Sequence, residues 1–70
     1  MPRLPKLKSV RERQAITQKE LGVLAGVARG TIVRIEAGHP AELPTARKLA
    51  AALGVKPADL MEDEQSERAA

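Results

Sequence analysis

Few residues in this chain are equipped for chemistry. There is no cysteine, and His39 is the one histidine, so thiolate and imidazole metal clusters are excluded. No nucleophile–base pair and no phosphate-binding glycine loop is credible, and the chain is too short to enclose a pocket. The expectation is a protein that is not an enzyme and takes no cofactor. What remains are side chains that bind. Arg29 and Arg34 are five residues apart, about 7.5 Å along the axis of a helix. A guanidinium is a planar fork that bonds the O6 and N7 of guanine together. The spacing suits two bases a few steps apart, and Val33 beside them can meet a thymine methyl. Arginines can equally be solvated surface charge, so the elements that carry them must decide.

Charge and composition narrow the setting. The net charge is +3 over 70 residues. Residues 1–34 hold eight basic and two acidic side chains, whereas residues 35–70 hold four basic and seven acidic ones. A small domain with a basic half suits a polyanionic partner. The apolar residues are almost all Ala, Leu, Val and Ile, with no aromatic residue. That favours short packed helices over a sheet and weakens a base-stacking, RNA-binding reading. No apolar run is long enough to span a bilayer, and Met1-Pro2-Arg3-Leu4 is not a secretory signal. A cytoplasmic location is expected.

Pro2 and Pro5 make residues 1–5 a flexible basic arm. A first helix is predicted over 6–14, with Leu7, Val10 and Gln14 on one face. Thr17-Gln18-Lys19-Glu20 is a capping box that opens a second helix, with Ile16 placed to staple against Leu21. Leu21, Leu24 and Ala25 form its apolar stripe, and Gly26 ends it. Val27 is apolar inside the turn, which implies a buried turn. Helix three is predicted over 29–37, with Ile32 and Ile35 inward and Arg29, Val33 and Arg34 outward; Gly38 and Pro40 stop it. Pro44-Thr45 opens a fourth helix carrying Ala46, Leu49, Ala50 and Leu53. Lys56-Pro57 opens a short fifth with Leu60 and Met61. The folded domain is therefore 6–61, followed by an acidic tail, 62–70, expected to be disordered.

Two short helices joined by a tight glycine turn describe a helix-turn-helix. The pattern Thr17-Gln18-x-x-Leu21-Gly22-x-x-Ala25-Gly26-Val27-x-x-x-x-Ile32-x-x-Ile35-Glu36-x-Gly38 resembles the lambda-repressor/Cro-like (XRE) family. The likeness runs without a gap from Leu7 to Leu60, through Leu49-Ala50-x-x-Leu53-Gly54-Val55 and Asp59-Leu60. It implies an all-α, five-helix bundle whose third helix enters the major groove. Carried over by position, Arg29, Gly30, Val33 and Arg34 read bases. Gln18 bonds a phosphate and braces the first side chain of the reading helix. Lys19 and Thr31, with Arg13 and Lys8 from the first helix, contact the DNA backbone. Arg11 and Glu36 match a structural pair tying helix one to the end of helix three.

Some positions depart from that pattern. Ala28 stands where Ser or Thr caps are common, which forgoes about 1 kcal/mol. Gly30 has no base-reading group and costs about 1 kcal/mol against Ala. The 39–43 loop has Glu42 where a basic residue is usual. Gly22 is explained by a close helix crossing that admits only a very small residue.

The expected function is a sequence-specific double-stranded DNA-binding regulator, of the repressor type. One reading helix covers only a few base pairs, so a homodimer on a two-fold operator is expected. Lys56, Pro57, Leu60 and Met61 are its candidate surface. The alternative is an antitoxin or accessory helix-turn-helix protein that binds a partner protein, through its tail or fifth helix. A helical module without DNA binding is disfavoured by Arg29 and Arg34.

Overall fold

The computed structural model describes residues 1–61; the acidic tail lies outside them. The elements are α1 (Leu7–Arg13), α2 (Gln18–Ala25), α3 (Arg29–Glu36), α4 (Leu43–Leu53) and one 3-10 turn (Pro57–Leu60). The described residues contain no strand, and the all-α class read from the sequence holds. The expected fifth helix is only this 3-10 turn. Pro57 starts it, the Asp59 carboxylate accepts from the Lys56 amide at 2.9 Å, and Met61 after it is already extended.

Helices of seven or eight residues are marginal alone, so burial must hold them. The core draws on every element, with Leu7 from α1, Leu21 from α2, Ile32 and Ile35 from α3, Leu49 and Leu53 from α4 and Leu60 from the 3-10 turn. Leu24 was expected on the α2 stripe but is 61% exposed. At about 100° per residue, Ala25 and Gly22 lie about 40° and 100° to one side of Leu21, while Leu24 lies about 60° to the other. The buried arc runs through Leu21, Ala25 and Gly22, which leaves Leu24 outside.

The segment 1–5 is not a free arm. Leu4 is 1% exposed and belongs to the core, as does Ala41 at 3%. The Pro2 carbonyl accepts from the Ala41 amide at 2.7 Å, and the Lys6 amide donates to the Leu60 carbonyl at 3.1 Å. One buried leucine and these two hydrogen bonds pin the start of the chain across the bundle. Gln14 is exposed rather than part of an apolar face, and its side chain donates to the Leu53 carbonyl at 2.7 Å.

The turn between α2 and α3 depends on two glycines. Gly26 takes the left-handed conformation with φ +68°. A Cβ on Gly22 would stand 2.7 Å from the Val27 carbonyl oxygen, inside contact distance. The close approach that requires glycine here is therefore made by the turn itself, more than by α3. The end of α1 uses the same kind of closure: Ile16 N–H donates to Arg11 C=O and Ala15 N–H to Glu12 C=O. There the left-handed residue is Ala15, with φ +57°.

Two outcomes follow in urea unfolding. Ala15→Gly raises stability by about 0.5–1 kcal/mol, because relief of the left-handed strain exceeds the added unfolded-state entropy. Gly22→Ala lowers it by about 2 kcal/mol or more, since the clashing atom is backbone.

Candidate nucleic-acid interface

The reading unit is assembled from α2, the turn and α3. At the start of α2, Thr17 Oγ1 accepts from the Glu20 amide at 3.0 Å, and Glu20 Oε1 accepts from the Thr17 amide at 2.9 Å. Donation from the Thr17 amide first, and then from its hydroxyl, holds the Glu20 carboxyl below its ordinary range. The reciprocal cap fixes the backbone direction through Gln18 and Lys19. From the Gly26 turn the chain enters α3, which is held by Ile32 and Ile35, 0% and 2% exposed. Arg29, Gly30, Val33 and Arg34 then occupy one outward face, at i, i+1, i+4 and i+5, and all four are exposed. Val33 is 43% exposed. A side chain at Gly30 would meet nothing within 4 Å.

Neither arginine has an acid to pair with on its own helix, because no Asp or Glu lies three or four residues from either. Among the described residues neither guanidinium makes an ion pair or side-chain hydrogen bond. The forks are presented to solvent. Ala28 is extended and has no side chain to cap an amide of α3, so the outward-facing end of the helix is also the less supported one.

Behind this face, Arg11 binds Glu36 through two bonds, Nε to Oε2 at 2.7 Å and Nη2 to Oε1 at 3.0 Å. Its Nη1 donates to the Ile16 carbonyl at 2.8 Å. The two side chains are 10% and 5% exposed. Burial pushes the Glu36 carboxyl upward, but hydrogen bonds from Arg11 and Gln18 and the charges of Arg11 and Lys8 outweigh it, leaving the group below its ordinary range. The hydrogen bond to Glu36 raises Arg11 in turn, against an opposing desolvation. The pair joins α1, the loop after it and the end of α3.

Gln18 belongs to the same cluster. Its Nε2 donates to Glu36 Oε1 at 3.0 Å, so its internal partner is the last residue of α3 rather than Arg29 at the start. Arg13 does not join. Two residues from Arg11, it lies about 200° round α1, in an open groove with Lys6, Val10, Gln14, Val55 and Asp59. Helical arithmetic from Arg11 alone separates Arg13 from the reading face. Lys8, in contrast, is close enough for its charge to act on Glu36. Lys19 and Thr31 are exposed in the first turns of α2 and α3.

Of the residues considered for a dimer surface, Leu60 is fully buried and closes the core, so its side chain is not available to a second copy. Lys56 is exposed, and Pro57 and Met61 are half-buried. Sequence patterning missed the apolar surface at Val23, Leu24 and Leu43, which are 78%, 61% and 52% exposed.

A family model described as helix-turn-helix matches residues 7–60. The chain belongs to the helix-turn-helix family. It is of the lambda-repressor-like (XRE) kind, and with that comes the class of DNA-binding transcriptional regulators. Among solved structures the chain is similar to the restriction-modification controller protein C.AhdI from Aeromonas hydrophila. The two are 29% identical, the match covers 81% of this chain and 88% of that one, and the TM-score is 0.77. No curated protein matches the chain. Among the described residues, no helix is long and apolar enough to cross a membrane.

The buried pair sets two expectations. Removing one partner, as in Glu36→Ala, leaves an uncompensated buried charge and lowers stability by about 3–5 kcal/mol; thermal melts measure this. A carboxyl depressed by folding stabilises above its unfolded pKa and loses that contribution as pH falls through the folded one. The urea midpoint should therefore hold steady from pH 7 down to about 5 and drop below about pH 4.5. In Glu36→Gln it starts lower, and the acid drop is smaller.

Proposed function

We propose that this protein is a sequence-specific regulator of the repressor type, acting in the cytoplasm on double-stranded DNA. The observation that carries this is the α3 face. Two unpaired arginine forks, Arg29 and Arg34, flank a bare glycine and an exposed Val33 on a helix whose other side is locked in the core. Neither arginine makes an ion pair or side-chain hydrogen bond among the described residues. On a helix inserted into the major groove, each fork can bond the O6 and N7 of one guanine, and Val33 can contact a thymine methyl. Gly30 lets the backbone approach the base edges closely, because nothing projects from it.

Backbone contacts position that helix without specifying sequence. Gln18 and Lys19 in the first turn of α2, Thr31 in α3 and Lys8 on α1 supply them in this reading. Glu42, exposed at the start of α4, repels phosphate, so the 39–42 loop contributes only through its amides. Two forks per chain specify too few base pairs for useful selectivity, and a homodimer on a dyad-symmetric site doubles them. The surface around Lys56, Pro57 and Met61 is the proposed contact between the copies.

Selection of bound sites from random duplex DNA tests the reading. The enriched site should be dyad-symmetric, and Arg29→Ala and Arg34→Ala should each relax one position per half-site by about 1–3 kcal/mol. Enrichment of no duplex at low salt would overturn DNA reading. Equal losses on all sequences would reduce both arginines to phosphate contacts.

A further inference from the structure

We propose that Glu36 is a positioning residue for DNA contact: held by Arg11, its carboxylate fixes the Gln18 amide through one Nε2 hydrogen and leaves the other for a phosphate oxygen. The inference rests on the DNA-reading proposal and deepens it. Glu36 Oε1 receives Arg11 Nη2 and Gln18 Nε2, both at 3.0 Å, while Oε2 receives Arg11 Nε at 2.7 Å. A carboxylate can only accept, so Gln18 must turn its NH2 group toward it, and the orientation of the amide is settled by chemistry. One Nε2 hydrogen is used. The second hydrogen remains for an acceptor, and a phosphate oxygen is an acceptor without donors.

The arrangement has a mechanical consequence. Gln18 is the first residue of α2, immediately after the Thr17 cap, and is half-buried. A free glutamine side chain would lose rotamer freedom on meeting a phosphate. Here that loss occurs on folding, because Glu36 already holds the amide. Glu36 is also the last residue of α3, so the phosphate-directed group and the base-reading helix share one anchor. A phosphate contact through Gln18 then sets where Arg29 and Arg34 stand over the bases. Arg11 acts one step further back, by holding Glu36 against both.

A double-mutant cycle on the selected duplex, at a temperature where every variant is folded by circular dichroism, tests this. Gln18→Ala should weaken binding by about tenfold in the native background. In the Glu36→Gln background the same change should cost about threefold or less. Glu36→Gln alone should weaken binding although the protein is folded. An equal factor in both backgrounds would overturn the positioning role and leave DNA reading intact. If the native protein binds no duplex, both ideas fail together. Where Glu36→Gln does not fold, side-chain amide resonances of the native protein serve instead. The shifts of the Gln18 Nε2 hydrogens should follow the acid titration of Glu36. Resonances that ignore that titration would overturn the proposal.

Discussion

A guanidinium and a carboxylate that are both nearly removed from water must satisfy each other almost completely, and the rest of this bundle is arranged so that Arg11 and Glu36 do. Each would be costly alone. Together they place two parallel hydrogen bonds across the junction of α1 and α3, and a third guanidinium hydrogen bond reaches the Ile16 carbonyl. Such a pair is a modest source of net stability, because desolvation cancels much of the attraction. Its larger effect is on register. Three donors and three acceptors at fixed angles admit one relative placement of the elements, whereas an aliphatic core of similar-sized leucines and isoleucines tolerates several. With α1 only seven residues long, the pair adds to the buried Leu7 and Val10 and to the Gln14–Leu53 hydrogen bond in fixing its rotation.

The helices also end in a way that leaves little slack. The left-handed Gly26 lets α2 turn directly into the approach to α3, and the missing Cβ at Gly22 lets the Val27 carbonyl lie against α2. Val27 N–H closes the loop by donating to the Gly22 carbonyl at 3.0 Å. The turn is thereby hydrogen-bonded and partly buried, and the angle between α2 and α3 is set by backbone contacts rather than by long side chains. This matters for reading DNA, since a side chain delivered about 1 Å from its base edge loses its bidentate geometry.

Local features were the legible ones. The Thr17–Glu20 box acts over three residues, and the inward Ile32 and Ile35 follow from the helical repeat, so both could be read from spacing. The outward Arg29 and Arg34 followed from the same repeat. Features joining distant parts of the chain were not legible. Leu4 sits in a proline-bounded segment and enters the core where the Pro2 carbonyl meets the Ala41 amide and the Lys6 amide meets the Leu60 carbonyl. Gln18 contacts Glu36 across eighteen positions, which no local pattern encodes, and so its partner was misplaced to Arg29. Leu24 shows a third kind of failure. Apolar spacing identifies a stripe, but which edge of it is covered depends on the neighbour packed there. Leu60 reads as core before it reads as interface, and the 3-10 turn does tuck it inward, whereas Met61 reads equally well as either.

The reading helix itself has an uneven distribution of support. Its carboxyl half carries Ile32, Ile35 and Glu36, which are tied to the core and to Arg11. Its amino half begins with Ala28, which has no side-chain cap, an exposed Arg29 and Gly30; Ala28 and Gly30 each withhold about 1 kcal/mol that a capped, alanine-like helix start would have. In the proposed reading, the end that enters the groove is the less supported end of the helix, and local opening free energies should be lowest there. That asymmetry fits a surface with few reading groups. A short, lightly held tip can shift by fractions of an ångström to align two rigid guanidinium forks with their guanines. In the same reading the anchored half, through Glu36 and Gln18, keeps the approach to the phosphate backbone fixed. Discrimination then depends on whether both forks can be satisfied at once, because a buried guanidinium left without its acceptor pair costs more than the lost contact itself.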